Sequence, residues 1–243
     1  MYENTLMKVS EKVQYKVDRL QKGYIFTYSD LDIGVESKEA VLKALNRMVE
    51  TGTLKKLSKG RYYKPEITPF GELLPDQNQV VKDILDDKGY LTGTSIFNQL
   101  GLTTQVSNTI QIGKNDWRPS FKREPYIIKF IRQKNKITRE NIPLLQILDS
   151  IRMIKSIPDT DQVNTSHRFI SILKNLEDNN IRNMTKLAEK YPASTRALLG
   201  FYLEKAGKNE FIHSLRKSIN PITRYKYPEI ATKFPSAGNW NIT

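Results

Sequence analysis

The chain has 243 residues, with 39 lysines and arginines against 26 aspartates and glutamates, two histidines, no cysteine and a formal charge of +13. That length has room for one or two domains with a real core, and an apolar share of 38% describes a soluble globular chain. No stretch approaches the roughly 18 apolar residues of a membrane helix, the N-terminus lacks the apolar core of a secretory signal, and the lack of cysteine excludes disulfides and thiolate chemistry; together these point to the cytoplasm.

The positive charge is spread over the chain. Residues 1–68 hold 13 basic and 9 acidic residues, 69–138 hold 10 and 7, and 139–243 hold 16 and 10, so every third is net positive. Such a field attracts polyanions, nucleic acid first among them. A lysine-rich proteome would give the same excess, so charge alone does not decide.

In chain order, residues 4–20 read as an amphipathic helix, because Leu6, Val9, Val13, Val17 and Leu20 recur at spacings of three and four. Gly23 breaks it, "YIFTY" follows as an extended piece, and Thr27 or Ser29 could cap the brief turn "SDLD". After Gly34, "ESKEAVLKALNRMVETG" is a second helix, with Ser37 at the N-cap and Gly52 at its stop. Residues 100° apart place Val41, Ala44, Leu45 and Met48 on one face. Lys43, Asn46 and Arg47 fall opposite, with Glu39 and Glu50, and Lys38 stands in the first turn.

Leu54–Leu57 and Arg61–Lys64 then alternate as two short strands around Ser58-Lys59-Gly60. Helix, short strand or turn, short helix, helix and basic hairpin is the order of a winged helix-turn-helix, whose second motif helix enters the major groove while the wing runs along the backbone. A wing beside phosphates has reason to be basic, since each neutralised phosphate releases counterions. A solvated hairpin whose charges keep an edge strand from pairing is the other reading. Tyr62 and Tyr63 alternate, which puts one in the core and leaves at most one facing outward.

Pro65 and Pro69 in "KPEITPFGELLP" mark a linker, closing the first domain near residue 68. Residues 76–87 read as one short helix and "SIFNQLG" as a helical turn or two; "GYLTGTS" is a turn opening that helix. "TIQIG" and "YIIKFIRQ" read as strands joined by a polar loop. Between Lys114 and Lys136 stand eight basic and two acidic residues, either a solvated strand face or a second contact for DNA or an acidic partner. From Arg139 onward five helical segments suggest a bundle, and the Pro- and aromatic-rich tail "NPITRYKYPEIATKFPSAGNWNIT" an extended strap on it. The expected fold is therefore α+β and predominantly helical: a winged helix-turn-helix over 1–68, a small α/β segment over 69–138, and a helical C-terminal domain over 139–243.

Catalytic patterns are missing. His167 and His213 lie in no metal-ligand spacing, and there is no P-loop, no GxGxxG and no GxSxG. Acid pairs such as Asp86-Asp87 and Asp159-Asp161 read as helix-end and loop acids, although magnesium sites can be assembled from scattered carboxylates. The expectation is a protein that is not an enzyme and needs no cofactor.

Two blocks in order, "ALNRMVETGTLKKLSKGRYYKP" and "GYLTGTSIFNQLGLTTQVSNTIQI", resemble the AbiEi-type antitoxins of bacterial toxin–antitoxin and abortive-infection (phage-defence) operons, over about residues 5–135. The resemblance implies a cytoplasmic autorepressor that binds inverted repeats in its own promoter, where a dimer would fit. It also implies an antitoxin that counteracts a nucleotidyltransferase toxin without requiring a stable complex. By position, it assigns DNA binding to Ser37, Lys38, Lys43, Asn46 and Arg47 of the helix and to Lys55, Lys56, Lys59 and Arg61 of the wing. Asn46 could read adenine bidentately and Arg47 guanine or a phosphate. The alternative is a stand-alone winged-helix transcription regulator whose C-terminal part senses a ligand or dimerises.

Overall fold

The computed structural model describes residues 7–34, 38–86 and 88–243. It is a mixed helix-and-sheet fold in which helices prevail and the sheets are small. The chain divides into two compact units, Met1–Asp86 with Phe121–Ile128, and Asp87–Ser120 with Lys129–Thr243. No helix among the described residues is long and apolar enough to cross a membrane.

The first unit opens with α1 (Val9–Asp18), whose Val13 and Val17 are buried as the stripe predicts. Strand β1 (Ile25–Thr27) leads into a 3-10 turn over Tyr28–Leu31, and here Thr27 rather than Ser29 is the cap. Its backbone N–H and hydroxyl both donate to the Asp30 carboxylate, at 2.6 and 2.9 Å. Helix α2 (Lys38–Glu50) buries Val41, Leu45 and Met48, and Gly52 ends it at φ 76°, a left-handed conformation that suits glycine. Strands β2 (Lys55–Ser58) and β3 (Arg61–Tyr63) pair antiparallel with a bulge between Lys56 and Ser58, and β1 pairs the far edge of β3. One cluster joins the two helices to this sheet through Val13, Val17, Phe26, Leu31, Leu45, Leu54 and Tyr62.

The expected linker is a second hairpin. Strands β4 (Glu66–Thr68) and β5 (Gly71–Leu73) pair antiparallel, Glu66 with Leu73 and Thr68 with Gly71. The Thr68 hydroxyl donates to the Gly71 carbonyl at 2.8 Å and closes the turn around Pro69. What holds this hairpin is tertiary: Glu72 accepts from the Tyr63 hydroxyl at 3.1 Å and pairs with Lys55. The helix expected over 76–87 is two single turns, α3 (Gln77–Val80) and α4 (Lys82–Leu85), parted at Val81, whose ψ of 14° is not helical.

Strand β6 (Tyr90–Thr92) occupies part of the segment expected as a turn, and α5 (Thr94–Phe97) follows it. Strand β7 (Thr109–Lys114) pairs antiparallel with β6. The expected polar loop contains a further strand, β8 (Phe121–Arg123), which forms a hairpin with the start of β9 (Tyr126–Arg132) and belongs to the first unit. There the buried Arg123 donates to both oxygens of Asp83, at 2.6 and 2.7 Å, and to the Val80 carbonyl at 2.6 Å.

The helical part of the second unit comprises α6 (Ile142–Arg152), α7 (Gln162–Lys174), α8 (Asp178–Ala188), α9 (Ala193–Lys205), α10 (His213–Lys217) and α11 (Pro228–Lys233). Helix α9 packs against α6, α7 and α10 and is buried continuously from Ala197 to Leu203. The tail departs from the extended strap expected of it. Pro228 and Pro235 begin helical turns, α11 and a 3-10 stretch over Pro235–Trp240, because proline lacks only an N–H that the first turn leaves unpaired anyway. Trp240 is buried against Gly200 of α9 and donates its indole N–H to Glu204 at 3.0 Å.

A polar network lies at the heart of this unit. The buried Asp149 of α6 accepts from the hydroxyls of Tyr90 (2.7 Å), Thr92 (2.7 Å) and Tyr191 (2.8 Å). Gln133 donates its amide to the same two tyrosine oxygens, at 2.9 and 2.8 Å. That fixes direction: with the amide hydrogens aimed at the tyrosine oxygens, both phenolic hydrogens point at Asp149. Burial pushes the Asp149 carboxyl above its ordinary range, while these donors and the charge of Arg152 counteract the push.

Candidate nucleic-acid interface

The candidate interface is the outward face of α2 and the β2–β3 hairpin. The buried stripe of α2 orients the rest: Lys38, Glu39, Lys43, Asn46, Arg47 and Glu50 are all exposed. Lys43 and Arg47 make no side-chain hydrogen bond or ion pair among the described residues, which leaves both charges available to a polyanion. Lys38 lies with its ammonium 4.7 Å from the centre of the Tyr28 ring, a cation–π contact. Hydrogen bonding to Ser29, then the bond and charge of Lys38, hold the Tyr28 hydroxyl below its usual pKa. Asn46 accepts a long hydrogen bond, 3.4 Å, from the Tyr62 hydroxyl through Oδ1, the atom that adenine N6 would use. Ser37 lies outside the described residues.

The hairpin divides into free and engaged charges. Lys56 and Lys59 are exposed and unpaired among the described residues. Gly60 turns the chain beside Lys59 at φ 75°. Lys55, by contrast, pairs with Glu72, and Arg61 lies 3.2 Å from Asp83 and is only a quarter exposed. Of the four wing cations expected to meet phosphate, two are therefore already neutralised within the unit. Sequence reading missed Glu72 and Asp83 because both lie in later elements, and no spacing ties them to the hairpin.

Neither tyrosine of the hairpin faces outward. Tyr62 packs into the cluster below the sheet, and Tyr63 is buried under the β4–β5 hairpin. Burial, followed by the charge and hydrogen bond of Glu72, pushes the Tyr63 hydroxyl far above its usual pKa. The alternation was correct for the strand, but the second hairpin roofs the other side.

The basic run from Lys114 to Lys136 is not one open face. Lys114 and Arg123 are buried, whereas Arg118, Lys122, Lys129, Arg132, Lys134 and Lys136 are exposed. Among the described residues no group of three or more His, Asp or Glu side chains could hold a metal ion. His167 and His213 are both exposed, His167 against the edge of Phe234.

The fold is similar to the crystal structure of the RV2827C protein from Mycobacterium tuberculosis, with a TM-score of 0.62 over 96% of this chain and 90% of that one. At 11% identity this is a likeness of fold alone. No curated protein matches the chain in sequence. A family model does match, over residues 12–184, which is most of both units, and the chain belongs to that family, the family of unknown function DUF6088.

Proposed function

We propose that the chain is a DNA-binding repressor of its own operon that also acts as antitoxin to a nucleotidyltransferase, with its first unit a winged helix-turn-helix. The observation that carries the DNA-binding half is the set of cations without partners. Lys43 and Arg47 project from α2 opposite a buried stripe, and Lys56 and Lys59 project from the hairpin that follows at once, in a sheet completed by β1. Four uncompensated cations on consecutive elements favour a surface that gains by neutralising phosphate. In this reading α2 enters the major groove by its N-terminal half, because Glu50 at its other end would repel the backbone. Lys56 and Lys59 hold the flanking phosphates, and Arg47 is the side chain suited to a base edge.

The antitoxin half rests on the resemblance of the two sequence blocks. The test of the first half is a gel shift of the full chain on its own upstream DNA against a scrambled duplex, across a salt series. Tight, sequence-selective binding is expected. Equal, weak and salt-labile binding to both duplexes would reduce the charge to a generic surface property and sink the repressor reading.

A further inference from the structure

A cleft of about 480 Å³ in the second unit gathers five cations, Arg132, Lys134, Arg152, Lys190 and Arg196, against one lining carboxylate, Glu189. They arrive from separate places: the end of β9 and the segment after it, the last residue of α6, the turn before α9, and α9 itself. Beneath them lie Tyr191 and Gln133, both in the Asp149 network. Even with Glu189 and the buried Asp149 counted, positive charge exceeds negative by three. Like charges crowded at a concave, partly dry surface raise the local potential and recruit a counter-anion.

The cations are held in place rather than merely scattered. In the segment 132–135, Gln133 and Asn135 point inward and are buried while Arg132 and Lys134 point out. The Gln133 N–H donates to the Lys114 carbonyl at 2.7 Å, and the Asn135 amide donates to the Leu187 carbonyl at 3.0 Å. Asn115 donates to the carbonyls of both Gln133 and Asn135, each at 2.8 Å. Arg196 is consumed in the framework, bonding the Tyr191 carbonyl at 2.6 Å and Ser218 through its carbonyl and hydroxyl, both at 2.9 Å. It positions the turn that carries Lys190. Arg132 and Lys134 have no side-chain partner among the described residues, so their donors are available.

We propose that this cleft is a binding site for a nucleotide-sized polyphosphate. Its volume lies within the roughly 300–1,000 Å³ of small-molecule sites, and several separated cations suit a ligand with several phosphate charges better than a single phosphate ion. A free nucleoside triphosphate and the phosphorylated end of a strand share this chemistry. The site lies in the second unit and does not depend on operator binding by the first.

The test is calorimetric titration of the full chain, at near-physiological ionic strength, with ATP, inorganic tripolyphosphate, and a short single-stranded oligonucleotide bearing either a 5′-phosphate or a 5′-hydroxyl. Arg132→Ala with Lys134→Ala is compared with Lys174→Ala, an exposed cation at the end of α7. Saturable binding of ATP and tripolyphosphate that the double variant weakens by at least about tenfold, with Lys174→Ala unchanged, is the expected result and identifies a free nucleotide as the source. Selective binding of the 5′-phosphorylated strand, lost in the same variant, also supports the site and identifies a strand end. Absence of binding by every ligand overturns the proposal, as does binding that the double variant and Lys174→Ala weaken alike. Both altered residues are exposed and unbonded, and a matching melting temperature for wild type and double variant confirms that the cleft is intact.

Discussion

The Arg61 guanidinium lies 3.2 Å from the Asp83 carboxylate, which is itself held bidentately by Arg123. A wing cation is thereby tied to the element after the next hairpin, and its charge is compensated before any DNA arrives. The wing cations are consequently unequal. Removing Lys56 and Lys59 together should flatten the salt dependence of DNA binding by up to about two phosphate contacts, with a slope change near −0.9 per contact. Arg61→Ala alone should leave that slope nearly unchanged. Equal slopes for wild type and the Lys56/Lys59 variant would mean that the hairpin does not touch phosphate.

On α2 the expectation is sharper at Arg47 than at Asn46. Arg47→Ala should weaken binding to the specific duplex by about 1–3 kcal/mol and relax preference at one base position. Asn46 is engaged by Tyr62, so Asn46→Ala should cost less than Arg47→Ala. Competition binding against duplexes altered one base pair at a time measures both. An Arg47→Ala variant with unchanged specific affinity would remove α2 from the interface.

The two acids that organise the units should respond to pH in opposite senses. Burial pushes the Asp83 carboxyl up, but the hydrogen bonds and charge of Arg123, then the charge of Arg61, outweigh it and hold it below its ordinary value of 3.8. A depressed folded-state pKa contributes stability above the ordinary value that is lost as pH falls through the folded one. Asp149 is raised, chiefly by burial. Its contribution is complete below the ordinary value and is lost as pH rises through the folded one. Thermal melts between about pH 3 and 7 should therefore show that Asp83→Asn removes part of the acid destabilisation, whereas Asp149→Asn removes a component of opposite slope. Parallel pH profiles for the two variants would contradict these assignments.

Asp149→Ala is the harsher change. It strands the hydroxyls of Tyr90, Thr92 and Tyr191 in a buried site, at about 1–3 kcal/mol for each donor left unsatisfied. Denaturant unfolding should place it among the most destabilising single changes in the chain. A loss below about 1 kcal/mol would mean that water or a rotated hydroxyl replaces the carboxylate.

How far these features could be read from sequence depended on where their causes lie. The apolar stripes Val13/Val17 and Val41/Leu45/Met48 announced their helices because helical burial repeats locally at three and four residues. The candidate cations of α2 and the hairpin were legible by type and position. Their engagement was not, because Glu72 and Asp83 reach Lys55 and Arg61 only through tertiary folding. Strands of three residues, such as Glu66–Thr68 and Tyr90–Thr92, are too short to show alternation and are fixed by the partners they meet. In the tail, proline suggested extended chain by composition, although Pro228 and Pro235 stand where a helix accepts proline. The Asp149 network gave no signal at all, since Tyr90, Gln133, Asp149 and Tyr191 come from four separate elements.

Gly200 sits inside α9, where alanine would by intrinsic propensity stabilise the helix by about 1 kcal/mol. The structure predicts the reverse sign. A Cβ at this position would lie 2.0 Å from the Trp240 ring, which is buried, anchored to Glu204 and unable to give way easily. Overpacking of this kind costs about 1–3 kcal/mol or more. Gly200→Ala should therefore lower the melting temperature, and Trp240→Ala should do so by opening a cavity. Combined, the two changes should cost less than their sum, because the small side chain at 240 makes room for the new methyl. A double-mutant cycle by denaturant unfolding reads that coupling directly. Strict additivity would show that the tail does not hold Trp240 against α9 in solution.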